Sequence, residues 1–179
     1  MTIRVATLDD AEAVAAIYAP YVRETTISFE RVPPDAGEMR ERMRHTLARH
    51  PWFVCEESGC VLGFAYGAPH RARDAYQWSA DVSVYVAQGA HRRGIGRSLY
   101  GDLLAALARQ GLVQAFAGIA LPNESSVGLH ESLGFTPVGI YRNVGFKLGR
   151  WCDVGWWSRQ LAPLSAVPTP PVPWPDLQG

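Results

Sequence analysis

Two periods of hydrophobicity alternate along this chain, and each change of period marks an element boundary. Ile3 and Val5 predict a short strand, and Thr7-Leu8-Asp9-Asp10 reads as a capping box variant ahead of a helix over 11–23. Val14, Ile17 and Tyr21 lie three and four apart, which puts them on one stripe. The β-branched run after Thr25 breaks that period and predicts an extended link, stopped by Pro33-Pro34-Asp35. A polar, charged helix follows over 37–49. Strands at 52–56 and 60–66, joined by Ser58-Gly59, form a hairpin, and a basic, aromatic loop follows over 69–77. Strict alternation returns at 80–86, with Ala80, Val82, Val84 and Val86 on one face and Asp81, Ser83 and Tyr85 on the other.

Ile95, Leu99, Leu103 and Leu107 recur every fourth residue, so 94–110 is a helix, and Gly111 ends it. The nearly unbroken apolar run over 113–120 predicts a strand buried on both faces. Asn123 caps a short helix to Ser132, closed by Gly134, and late strands are expected over 135–146 and 151–157. The order β-α-α-β-β-β-α-β-α-β-β describes an α/β layered fold with a mixed sheet. Residues 1–161 form one domain. Six of the thirteen prolines fall beyond Leu161, which predicts a surface extension over 162–179 without regular structure.

Composition narrows the function classes. With 17 Lys+Arg against 17 Asp+Glu, the chain has no bulk charge to attract nucleic acid or an anionic membrane. No apolar run approaches the ~20 residues that span a bilayer. Cys55, Cys60 and Cys152 show no metal spacing, and so sparse and odd a set predicts reduced thiols and a cytoplasmic protein.

The chemistry concentrates after the alternating strand. Ser83-Val84-Tyr85-Val86 runs through a short loop into Arg92-Arg93-Gly94-Ile95-Gly96-Arg97-Ser98, where a helix begins. Glycines admit a close ligand, the first helical N–H groups are unpaired, and the macrodipole and three arginines add positive charge. That is a site for a pyrophosphate or similar anion. The segment lacks the Lys-Ser/Thr of a P-loop and the third glycine of a dinucleotide fingerprint.

Strand, x-x-x-Gly-x-Gly and helix resemble the acetyl-CoA loop of the GCN5-related N-acetyltransferases (GNAT), with His91 where that family usually has Gln or Arg. Trp78-Ser79-Ala80-Asp81, Leu121-Pro122-Asn123-Glu124, Leu129-His130-Glu131-Ser132-Leu133-Gly134-Phe135 and Gly149-Arg150-Trp151-Cys152-Asp153 resemble the phosphinothricin and methionine sulfoximine acetyltransferases within it. The resemblance covers roughly residues 2–161. It implies a twisted, mostly antiparallel mixed sheet of about seven strands, helices on both faces, acetyl-CoA as co-substrate, no metal and a homodimer.

It also implies roles. Val84, Tyr85 and Val86 would offer backbone groups to pantetheine, Arg92, Arg93, Gly94, Ile95, Gly96, Arg97 and Ser98 would hold the pyrophosphate, and Asn123 would reach the pantetheine arm. Only a free amine attacks a thioester, so a base is needed, and Asp81 stands where the resembled enzymes usually have Glu. One methylene shorter, it leaves direct contact and a bridging water both open. His130 is the second catalytic candidate; dipole compensation near a helix end is its other reading. Arg71 and Arg73 could grip an acidic substrate in bidentate fashion, Tyr76 could orient it, and Phe29 could wall it; a solvated basic loop is the alternative. The expected activity is acetylation of a small amino-acid-like amine in a ternary complex. An acetyltransferase for another amine, a non-catalytic acetyl-CoA-binding module and a nucleotide-binding protein are the competing readings.

Overall fold

The alternating strand at 80–86 is the axis of the molecule. In the computed structural model, which describes residues 1–178, it extends over Ser79–Val86 as β4. Before it come β1 (Thr2–Val5), α1 (Ala11–Glu24), α2 (Ala36–Leu47), β2 (Trp52–Glu57) and β3 (Cys60–Pro69). After it come α3 (Ile95–Arg109), β5 (Gln114–Leu121), α4 (Glu124–Ser132), β6 (Thr136–Lys147) and β7 (Arg150–Gln160). The seven strands form one open sheet in the order β1-β2-β3-β4-β5-β7-β6. Every neighbouring pair is antiparallel except β4 and β5.

Helices cover both faces, as the residue pattern requires. Phe53, Cys55 and Ala65 turn toward α3, and Val54 and Phe64 turn toward α1 and α2. Leu99, Leu103 and Leu107 of α3 are fully buried. Burying each side chain stabilises the fold by roughly 1.5–3 kcal/mol. The entry to α1 is fixed by Asp10, whose carboxylate accepts from Arg4 at 2.7 and 2.8 Å and from the Thr7 amide at 2.8 Å.

Two expectations change. β5 is fully buried on one face: Ala115, Ala117 and Ile119 are sealed, whereas on the other Phe116 is half-buried, Gly118 is exposed and Ala120 is buried. The reason is that β4 and β5 pair over only three residues, Ser79 with Gln114, Ala80 with Ala115 and Asp81 with Phe116, and then diverge. The Pro-rich segment does run over the surface, but it is anchored. Trp174 begins a short 3-10 turn, is buried, and packs edge-on against Phe53 at 5.9 Å. The Trp174 and Val172 amides donate to the carbonyls of Arg49 and Gln110. Among the described residues, no helix is long and apolar enough to cross a membrane.

Candidate active site

Divergence of β4 from β5 opens a V in the sheet, and Asp81 sits at its apex as the last paired residue of β4. The Ala87 amide donates to Leu62, so strand alternation turns the backbone groups of Tyr85 toward β3 and those of Val84 into the gap. The gap is a cavity of about 60 Å³ bounded by Ser83, Val84, Tyr100, Ala117, Asn123 and Ser126. It lies beside a long cleft of about 1030 Å³ that reaches the start of α3.

The start of α3 is built as its sequence predicts. Gly94 precedes the first helical residue with φ 80°, a left-handed conformation that glycine adopts without strain. Nothing lies within 4 Å of where its Cβ would be, so the backbone is open to a ligand. Val84, Tyr85, Val86, Arg92, Gly94, Ile95, Gly96, Arg97 and Asn123 all line the cleft. Ile95 has its side chain in the core, so only its backbone faces a ligand. Asn123 also caps α4 by accepting from the Ser126 amide at 3.1 Å. Two expected residues stand apart: Ser98 does not line the cleft, and neither does Arg93, which is paired with Glu57 of β2 at 2.7 Å.

The link after α1 forms the roof. Lys147 donates to the Ser28 carbonyl at 2.5 Å and Arg150 to the Thr26 hydroxyl at 2.9 Å, which gives these two cations a place the sequence did not reveal. So held, Ile27 overhangs both openings. Phe29, expected to wall the substrate, packs on the backbone of β6 and lines neither opening; a Cβ on Gly145 would fall 2.2 Å from its ring. Tyr21, expected as part of a helix stripe, donates its hydroxyl to the Val86 carbonyl at 2.6 Å and closes one cleft wall.

Asp81 is half-buried, and its Oδ1 is 2.6 Å from Nδ1 of His70, a residue for which the sequence carries no periodic signal. Burial raises the Asp81 pKa above the ordinary carboxylate value, against the His70 hydrogen bond and the charges of His70 and Arg71. Arg71 lies over Trp156 at 5.8 Å. Arg73 and Tyr76 are exposed and, with Arg71, line a separate recess of about 200 Å³ closed by the tail at 171–173.

His130 has both ring nitrogens engaged. The Ser126 carbonyl, 2.7 Å from Nδ1, can only accept, so Nδ1 carries the hydrogen and Nε2 accepts from the Tyr100 hydroxyl at 3.0 Å. The ring is 3% exposed, and burial lowers its pKa, so it is neutral at pH 7. Tyr100, which the sequence shows only as a helix residue, thus lines the gap together with His130. Among the described residues, no cluster of three or more His, Cys, Asp or Glu could hold a metal ion.

A parallel pair that splays, an anion-binding helix start beyond it and a carboxylate at the apex define an acyl-CoA-dependent transferase. The chain belongs to the GNAT acetyltransferases: the family described as acetyltransferase (GNAT) domain matches residues 3–156. It is an acetyl-CoA-dependent N-acetyltransferase. A phosphinothricin N-acetyltransferase of Streptomyces viridochromogenes is 40% identical over 171 residues, covering 96% of this chain and 91% of that one. An L-methionine sulfoximine/L-methionine sulfone acetyltransferase of Salmonella typhimurium is 34% identical, covering 90% of this chain and 95% of that one. The crystal structure of a phosphinothricin acetyltransferase from Sinorhizobium meliloti in complex with acetyl-CoA superposes with a TM-score of 0.90 at 33% identity, covering 94% of this chain and 92% of that one.

Proposed function

We propose that the protein acetylates the α-amino group of a small amino-acid-like substrate, with phosphinothricin and methionine sulfoximine as the named candidates. The observation that carries this reading is Asp81 at the apex of the V, with the Arg71 guanidinium nearby. Relatives named for those two substrates support it.

Acetyl-CoA is the co-substrate, and the cleft suits it. The open amides at Gly94 and Gly96, with Arg92 and Arg97, hold the pyrophosphate. Val84 offers its backbone to pantetheine as a partner strand would, flanked by Tyr85, Val86 and Asn123. On this reading the thioester lies at the apex. Deprotonation of the ammonium depends on the Asp81 carboxylate, the free amine attacks the thioester carbonyl, and a β4 N–H stabilises the oxyanion. Arg71, whose charge reaches Asp81, takes a substrate acidic group, and Arg73 and Tyr76 extend that grip along the neighbouring recess. His130, the second catalytic candidate, lines the gap beside Tyr100 and accepts a hydrogen bond from its hydroxyl.

The protein works as a cytoplasmic homodimer on this reading. Free Cys55, Cys60 and Cys152 support the compartment. β6 at the sheet edge supports the dimer, with Val138, Ile140, Val144 and Phe146 all exposed. Val138→Arg with Ile140→Arg shifts the sedimentation coefficient to that of a monomer; an unchanged value removes this interface.

Thiol release from acetyl-CoA, run against phosphinothricin, methionine sulfoximine, methionine and spermidine, tests the substrate class. Turnover is expected on one of the first two and not on spermidine, a cation that Arg71 and Arg73 repel. Preference for spermidine contradicts the reading.

A further inference from the structure

His70 follows directly on β3, and its amide still reaches the Ser79 carbonyl at 3.4 Å, so the backbone runs beside β4 where the imidazole departs. The ring stacks on Phe116 of β5, with centroids 4.3 Å apart and planes 19° from parallel. Tyr76 and Trp156 meet it edge-on at 5.9 and 6.0 Å. Three aromatic side chains from three elements thus set the plane of the ring. In that plane Nδ1 meets Asp81 Oδ1 at 2.6 Å. An ionised carboxylate only accepts, so Nδ1 carries the hydrogen and Nε2 of the neutral ring keeps a free lone pair. Nε2 makes no hydrogen bond within the described residues, yet it is not sealed from solvent.

We propose that His70 takes the proton from the substrate ammonium at Nε2, with Asp81 as the positioning residue behind it. This rests on the reading of the chain as an acetyltransferase for a small amino-acid-like amine. The ammonium N–H breaks and its proton joins Nε2; the imidazolium stays hydrogen-bonded to Asp81 through Nδ1. The freed lone pair forms the N–C bond with the thioester carbonyl. Collapse breaks the C–S bond, a second nitrogen proton goes to the departing sulfur, and His70 returns its proton to water. Three observations favour His70 as the immediate acceptor. The Asp81 oxygen nearest the ring is occupied, the ring extends the reach of a short side chain, and Nε2 is the free acceptor that remains exposed to solvent. The titratable groups facing the ring are Asp81 from β4, Arg71 beside it and the Tyr76 phenol; β5 and β7 present the uncharged Phe116 and Trp156.

Steady-state kinetics of His70→Ala, His70→Gln, Asp81→Asn and the His70→Ala/Asp81→Asn double variant test this, with the KM for acetyl-CoA as the check on folding. Each single variant is expected to lose about 10²–10⁴-fold in kcat. The double variant falls little further, because the pair acts as one unit. Added imidazole restores part of the His70→Ala rate but none of the Asp81→Asn rate. In ¹⁵N-resolved spectra, the wild type shows a downfield Nδ1 proton that Asp81→Asn loses. If the wild type turns over an amine and both His70 variants match it, Asp81 acts directly and this proposal alone is overturned. If the wild type turns over no amine, the substrate reading falls too.

Discussion

At the scale of the residue, a few side chains set what the site can do. The Asp81 pKa is raised by burial, while the His70 hydrogen bond and the charges of His70 and Arg71 pull it down. The proposed chemistry needs an ionised Asp81, so activity is expected to fall as pH drops through that raised value. Arg71→Gln removes a charge that disfavours protonation of Asp81. The acid limb of kcat/KM is therefore expected to move to higher pH, and a pH–rate profile checks it. Asp10 has the opposite sign. Burial alone would raise its pKa, but the Arg4 bonds and the Thr7 amide more than offset that and hold it below the ordinary value. A depressed carboxylate contributes stability above its unfolded pKa and loses it as pH falls through the folded one. Asp10→Ala is expected to cost about 2 kcal/mol at pH 7 in urea unfolding, as a charged hydrogen-bonded group does, and less at pH 3. An equal cost at both pH values contradicts this.

Elements explain which parts of the site could be read in advance. The period-two pattern of β4 and the every-fourth leucines of α3 are strong signals because each serves a single buried face, and both strand and helix stand where the pattern puts them. Gly94 was legible because a left-handed helix start demands glycine. β5 misled because its small apolar residues resemble those of a strand buried twice, whereas the splay leaves Phe116 and Gly118 on the wall of a site. His70 was silent: a lone histidine after a strand has no periodicity, and its partner is eleven residues on, across a strand pair. Tyr100 was hidden for a related reason, since its ring belongs to the core and only its hydroxyl serves the gap. Gly94→Ala puts a Cβ on a left-handed residue and crowds the phosphate approach. It is expected to raise the KM for acetyl-CoA about tenfold, close to 1.4 kcal/mol, with kcat nearly unchanged. Initial-rate kinetics at saturating amine separate the two.

The whole molecule is an open sheet whose single parallel pair makes the cleft, braced by a tail. Proline density correctly excludes long helices and strands beyond Leu161, but it says nothing about one tryptophan seated on Phe53. Trp174→Ala empties a core position and is expected to cost roughly 3 kcal/mol by denaturant unfolding. The tail does not line the long cleft proposed for acetyl-CoA, so the KM for acetyl-CoA should hold below the unfolding transition.

In the proposed chemistry the splay of β4 from β5 delivers the thioester to a site whose base function depends on Asp81. Calorimetric titration of acetyl-CoA into Asp81→Asn, beside its thiol-release rate with phosphinothricin or methionine sulfoximine, tests that most directly. Acetyl-CoA affinity is expected to stay within about twofold of wild type and kcat to fall at least about 100-fold. Unchanged turnover, or a loss of acetyl-CoA affinity that accounts for the lost rate, contradicts it.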